Sequence, residues 1–157
     1  MRYGLGQAPG PPPAPEYPPE VAWSRATWLA STKFGLDHDL VALASEFVSR
    51  GDGRGVLLVA NAKRRGVAGQ GALPYQTAKR LAAAVAQGEA EARQPNLPDY
   101  VALFLAANSP AGLKLLAEAT RAMRTGNLGA ARAIFQRVEQ LALKAARARP
   151  QVAPPGQ

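Results

Sequence analysis

The chain contains no cysteine and a single histidine, His38. Without thiols it has no disulfide scaffold, no thiolate zinc site, no iron–sulfur cluster and no cysteine nucleophile. One imidazole excludes any site that needs two. Long apolar runs are missing as well. The longest, Val101 to Ala107 (VALFLAA), falls far short of the roughly 20 residues that span a bilayer. The first residues, Met-Arg-Tyr-Gly-Leu-Gly-Gln, run into prolines rather than into the apolar stretch of a secretory signal. The expected location is the cytoplasm, or a particle such as a virion assembled within it.

What is present suffices for a core. The chain has 157 residues, of which 47% are hydrophobic, enough for one domain and little more. The 14 prolines are uneven, because Pro9, Pro11, Pro12, Pro13, Pro15, Pro18 and Pro19 all precede Glu20. Proline fixes φ and lacks an amide donor, so residues 1–18 are expected as an extended, polyproline II-like arm. Pro150, Pro154 and Pro155 mark residues 150–157 as a short tail. Between them, residues 19–149 form an alanine-rich body with helical periodicity. The expected fold is all-α: a compact bundle of six or seven helices with a Pro-rich N-terminal arm and a short Pro/Gly tail.

The first helix is expected to start at Pro19 or Glu20 and end at Gly35, since proline suits a first helical turn. Trp23 and Trp28 lie on it five positions apart, hence about 140° from one another. One face cannot bury both. One belongs in the core, and the other packs under the arm or docks on another subunit. The second helix runs from Asp37 to Arg50 with an inner stripe of Leu36, Leu40, Leu43 and Phe47. Val56 to Arg65 reads as a third helix, because a lone VLLV strand would have nothing to pair with. Gly66, Gly69 and Gly71 read as a flexible loop.

A fourth helix is expected from Pro74 to Arg93, kinked at Gly88, with Tyr75, Ala78, Leu81, Ala82 and Val85 inward. Asp99 to Asn108 is nearly all apolar and should be central. Ser109 caps a sixth helix, Pro110 to Thr125, and Asn127 caps a seventh that ends near Ala148. Gly126, Leu128, Ala131 and Phe135 resemble the second helix of a tetratricopeptide hairpin. Glu118 and Ala119 depart from that motif's first helix, and no second copy follows at a 34-residue period. The segment is read as an ordinary helical hairpin.

No catalytic constellation emerges. Asp37, His38 and Asp39 are consecutive, and neighbouring helical residues diverge by about 100°, so they read as a helix start favoured by the macrodipole. Neither glycine cluster matches a phosphate loop or dinucleotide fingerprint, and the serine-nucleophile frames are absent. Arg50-Gly51-Asp52 spells an adhesion tripeptide of the sort chance supplies in a chain rich in Arg and Gly. Glu46 lies on a polar helix side, and Glu89 and Glu91 diverge. No cofactor is expected, no metal ligand set is recognised, and a small-molecule substrate is not indicated.

The charge is positional. Nineteen bases against 11 acids give +8, and most of the excess follows Asn108. Arg132, Arg137, Lys144 and Arg147 occupy the polar arc of the last helix, opposite Leu128, Ala131, Ile134, Phe135, Val138, Leu141 and Ala142. Lys63, Arg64 and Arg65 form a second patch. Both suit phosphates or an acidic protein surface. No aromatic residues interleave and no recognition module is present, so base reading is not expected. The leading expectation is a non-enzymatic structural or assembly component of a multi-subunit complex, with a phage-type virion as one setting. It would contact protein subunits through Pro11, Pro12, Pro13, Tyr17, Trp23 and Trp28. The alternative is a sequence-nonspecific nucleic-acid-binding protein using the basic residues named above.

Overall fold

The structure is a computed structural model, and it describes residues 18–84, 94 and 96–148. Pro11, Pro12, Pro13 and Tyr17 of the arm, Val85 and Gly88 in the expected fourth helix, and the tail lie outside the described residues. The described residues are all helical: α1 (Pro19–Phe34), α2 (His38–Ser49), α3 (Gly53–Arg65), α4 (Ala72–Ala84), α5 (Leu97–Ala106), α6 (Pro110–Arg124) and α7 (Leu128–Ala148). The VLLV segment is helical, as its lack of a strand partner requires. Val56 and Val59 are fully buried on the inner side of α3, and Leu57 is exposed.

Each boundary has a chemical cause. The α1 helix carries proline at its start and ends on Gly35, whose φ of 66° lets the Leu36 amide return to the Ser31 carbonyl at 2.9 Å. Asp52 starts α3 by accepting from the Gly55 amide at 2.9 Å. Ser109 starts α6 by accepting from the Gly112 amide at 3.2 Å, and Asn127 starts α7 through the Ala130 amide at 3.2 Å. These bonds satisfy amides that a helix leaves unpaired at its first turn.

The core is built on Phe47, Phe104, Val41, Val48, Val101, Leu105, Leu113, Leu116 and Val138, each at most 1% exposed. The α5 helix is central, with Leu97, Val101, Ala102, Phe104 and Leu105 all buried. Leu36 precedes α2 and packs against the core with Leu40, Leu43 and Phe47, as the stripe expects. Two expectations change. Leu128, placed on the inner arc of α7, is 65% exposed. The glycine cluster is no open loop but a π-helical turn, Gly66–Gln70, kinked at Gly69. The Gly71 amide donates to the Gly66 carbonyl at 2.9 Å, and Gly71 lies buried against the Ala62 carbonyl, where a Cβ has no space. That tight return lets α4 start at Ala72, so Pro74 falls in a first turn, where a missing amide is harmless.

One three-helix unit occurs twice. Phe47, Gly51, Asp52 and Gly55 recur 57 positions on as Phe104, Asn108, Ser109 and Gly112. Each set does the same work: a fully buried ring, a left-handed residue (Gly51 at φ 70°, Asn108 at φ 52°), a capping side chain, and a glycine against the ring. Burial repeats at the same offset, with Leu40, Val41, Ala44, Val48, Val56, Val59 and Ala62 matched by Leu97, Pro98, Val101, Leu105, Leu113, Leu116 and Ala119. The third helices match 60 positions apart, pairing Tyr75, Ala78, Leu81 and Ala82 with Phe135, Val138, Leu141 and Ala142. The units α2–α3–α4 and α5–α6–α7 pack α2 on α5 and α3 on α6, and α1 lies across both α2 and α5.

Candidate contact surfaces

The two tryptophans divide as their angular separation demands. Trp23 is 7% exposed and belongs to the core, whereas Trp28 is 55% exposed. Val21 and Leu29 are also exposed. Val21 and Trp28 are seven positions apart, so they fall on one side of α1, within about 20°. Trp23 also lines a groove of about 470 Å³ with Asp39, Ala42, Leu43, Glu46, Tyr75 and Lys79. Burial, and then the carboxylates of Asp39 and Asp37, raise the Tyr75 hydroxyl above its ordinary value. A smaller groove occupies the matching place in the second unit, lined by Tyr100, Leu103, Glu139, Ala142, Leu143 and Ala146.

The basic residues stay in separate patches. Lys63 is half-buried, and its Nζ donates to Asn108 Oδ1 at 3.0 Å. Arg64 donates to Asn61 Oδ1 at 3.0 Å, and Arg65 is exposed. All three close α3, where its macrodipole favours cations. Arg132, Arg137, Lys144 and Arg147 are exposed along α7 and make no ion pair among the described residues. They spread over about 140° of the helix circumference, a broad face rather than a line. The α7 helix packs on α6 and α5, so its cations do not join those at the end of α3.

A third basic group gathers where α6 crosses the α2–α3 turn. The Arg124 guanidinium donates to the Arg50 carbonyl at 2.9 Å. A Cβ on Gly51 would lie 2.9 Å from Arg121 Cβ, and one on Gly53 would lie 3.7 Å from Lys114 Cγ. Arg54 is exposed beside them. Sequence reasoning missed this group because its members come from helices about sixty positions apart. The signal was the matched turns, which place α6 against Gly51 and Gly53.

Among the described residues the acids and the histidine singled out in the sequence serve the helices that carry them. His38 opens α2, and its Nε2 lies 3.1 Å from the Thr27 hydroxyl. Asp37 is occupied in capping, accepting from the Asp39 amide at 2.8 Å. Glu46 is paired with Arg50 at 3.1 Å. Among the described residues no three His, Asp or Glu side chains gather as a metal-ligand cluster, and no helix is long and apolar enough to cross a membrane. Comparison with protein-family models, with curated proteins and with solved structures gives no match.

Proposed function

We propose that the protein is a non-enzymatic structural or assembly component of a larger multi-subunit complex, with a phage-type virion as one setting. The observation that carries this reading is the outer face of α1, where Val21, Trp28 and Leu29 are 48%, 55% and 47% exposed. A tryptophan buries 150–250 Å² when covered, so Trp28 leaves roughly 100 Å² uncovered, about 2.5 kcal/mol at ~25 cal/mol per Å². An apolar face of this kind marks a docking surface. It lies on the helix that directly follows the proline-rich segment. Pro18, the last residue before α1, has φ −53° and ψ 148°, within the polyproline II region. An extended proline segment loses little conformational entropy on docking, which suits an arm laid along a neighbouring subunit.

The test is the mass and composition of the complex that the tagged full-length chain enters in its native cell at mild salt. The expected result is a high-mass species with companions in fixed ratio. Trp28→Ser should release the chain from it with an unchanged helical circular dichroism spectrum. A wild-type chain that is monomeric under those conditions overturns the reading.

Nucleic-acid binding is the second reading, favoured by the four exposed α7 cations that make no ion pair among the described residues. Four phosphate contacts predict a log–log salt slope of about −3 to −4 on duplex DNA. Reversal of Arg132, Arg137 and Lys144 to Glu should abolish the binding. A salt-independent affinity, or one that survives the reversal, removes this reading.

A further inference from the structure

The two units touch one another reciprocally, and at one place the reciprocity fails. In one direction α6 lies on the α2–α3 turn, with Lys114 over Gly53 and Arg121 over Gly51. The corresponding residues in the other direction are Leu57 and Arg64 of α3, facing Pro110 and Asn108 of the α5–α6 turn. There the elements stand apart around a cleft of about 470 Å³, lined by Leu57, Ala60, Asn61, Arg64, Phe104, Leu105, Asn108 and Pro110. The cause is in the turns. Gly51 and Gly53 have no side chains, so α6 closes on them. Asn108 and Pro110 occupy the same positions in the second unit and hold α3 away.

The open side has a definite chemistry. Its accessible wall is apolar at Leu57, Ala60 and Pro110, and the buried Phe104 and Leu105 border it. Its polar groups are the Arg64 guanidinium and the carboxamides of Asn61 and Asn108, with Lys63 Nζ bonded to Asn108 at 3.0 Å. Among the described residues no acid lines it, whereas the closed side has Glu118 at the position of Asn61. We infer that this cleft is a binding site for an acidic segment of a partner protein, which inserts one apolar side chain while a flanking carboxylate meets Arg64 and Lys63. The volume is in the range of small-ligand pockets and accommodates one large side chain with its neighbours. Charge complementarity selects the anion, because a carboxylate forms strong bidentate hydrogen bonds with a guanidinium. The inference rests on the assembly reading for the source of its ligand.

The experiment titrates the full chain with the blocked peptide acetyl-Glu-Phe-Glu-amide and follows side-chain amide and guanidinium signals by NMR. Saturable shifts are expected at Asn61, Asn108 and Arg64, with affinity falling about tenfold or more between low and high salt. Acetyl-Lys-Phe-Lys-amide should bind at least about tenfold more weakly. Arg64→Glu should abolish binding. The paired substitution Asn108→Gly with Pro110→Gly gives the turn the glycines of its counterpart. It should abolish binding by closing the cleft, with the helical spectrum retained. Shifts that map elsewhere, that are equal for the lysine peptide, or that survive both variants overturn the proposal. Binding of decanoate but not of the acidic peptide also overturns it, because the ligand is then a free amphiphile. A chain that enters a complex in cells yet ignores the peptide sinks the cleft proposal alone. A chain that binds the peptide yet is monomeric in cells sinks the assembly reading alone.

Discussion

Gly112→Ala adds one methyl group to the buried start of α6, and its effect follows from the geometry. The new Cβ would come within 2.5 Å of Phe104 Cε1 and 2.6 Å of Phe104 Cγ. Carbon atoms in contact prefer roughly 3.5–4.0 Å, so the ring or the helix must shift by about 1 Å. Phe104 is 0% exposed and belongs to the core cluster, and it borders the α3 cleft, so relief requires the ring to shift toward that cleft or the helix to move. Overpacking of this kind costs about 1–3 kcal/mol. Alanine returns about 1 kcal/mol through its better helix propensity, which leaves a net loss of about 0–2 kcal/mol. Gly55→Ala should lose a similar amount, since its Cβ would meet the fully buried Phe47 ring in the same way. Gly129→Ala, on α7, meets nothing within 4 Å and should gain about 0.5–1 kcal/mol. Urea melts of the three variants measure these differences, with an unchanged m-value as the sign that only stability moved. A Gly112→Ala that gains as much as Gly129→Ala, or opposite signs at Gly55 and Gly112, would refute both the close packing and the equivalence of the two units.

Other outcomes follow from single side chains. Ser45 Oγ is buried with no hydrogen bond among the described residues, and its counterpart in the second unit is Ala102; Ser45→Ala should stabilise by about 1 kcal/mol in a urea melt. Trp28→Phe should leave a blue-shifted, poorly quenched emission from buried Trp23. Trp23→Phe should leave a red-shifted emission open to acrylamide, and the reverse assignment would contradict the burial of the two rings. Tyr75 has its hydroxyl raised above the ordinary tyrosine value, by burial first and then by Asp39 and Asp37. The unfolded chain therefore loses that proton first as pH rises, so its contribution holds below the ordinary tyrosine value and is lost above it. Phenolate absorbance should show a late transition that Tyr75→Phe removes.

The helices were legible because each carries its own start and stop signals. Pro19, Asp37, Ser109 and Asn127 announce beginnings, and Gly35 and Gly126 announce ends, through local chemistry that needs no tertiary partner. The glycine cluster was misread for the opposite reason. Gly66, Gly69 and Gly71 look like flexibility in sequence, but Gly71 is there because the Ala62 carbonyl occupies the space of a side chain. That demand comes from the end of α3 and is invisible in the glycines themselves. Leu128 shows the same limit, since its place on the apolar arc says nothing about whether α6 reaches far enough to cover it. The candidate surfaces were half legible. The angle between Trp23 and Trp28 foretold that they do not share the core, while which one is buried depends on where α2 and α5 lie.

The repeat was hidden because its identities, such as Phe47 with Phe104 and Gly55 with Gly112, are few and scattered, and many of its common features are functional rather than literal. Gly51 and Asn108 share a left-handed backbone, Asp52 and Ser109 share a capping bond, and Tyr75 and Phe135 share a half-buried position. None of these pairs is an identity, so a comparison of letters passes over them. Once the units are aligned, their differences become the informative residues. A helix face packs against whatever the facing turn permits, and glycine permits closer approach than any other residue. The α2–α3 turn has Gly51 and Gly53 and is closed by Arg121 and Lys114. The α5–α6 turn has Asn108 and Pro110 and leaves a cleft. The two turns serve their helices equally well, since both cap a helix and both seat a glycine on a phenylalanine. Pro110 also suits the first turn of α6, but Gly53 opens α3 in the same place, so a helix start does not by itself require it. The difference at positions 108 and 110 coincides with a packed side and an open side of a nearly symmetric body, and the paired glycine substitution tests whether it is the cause.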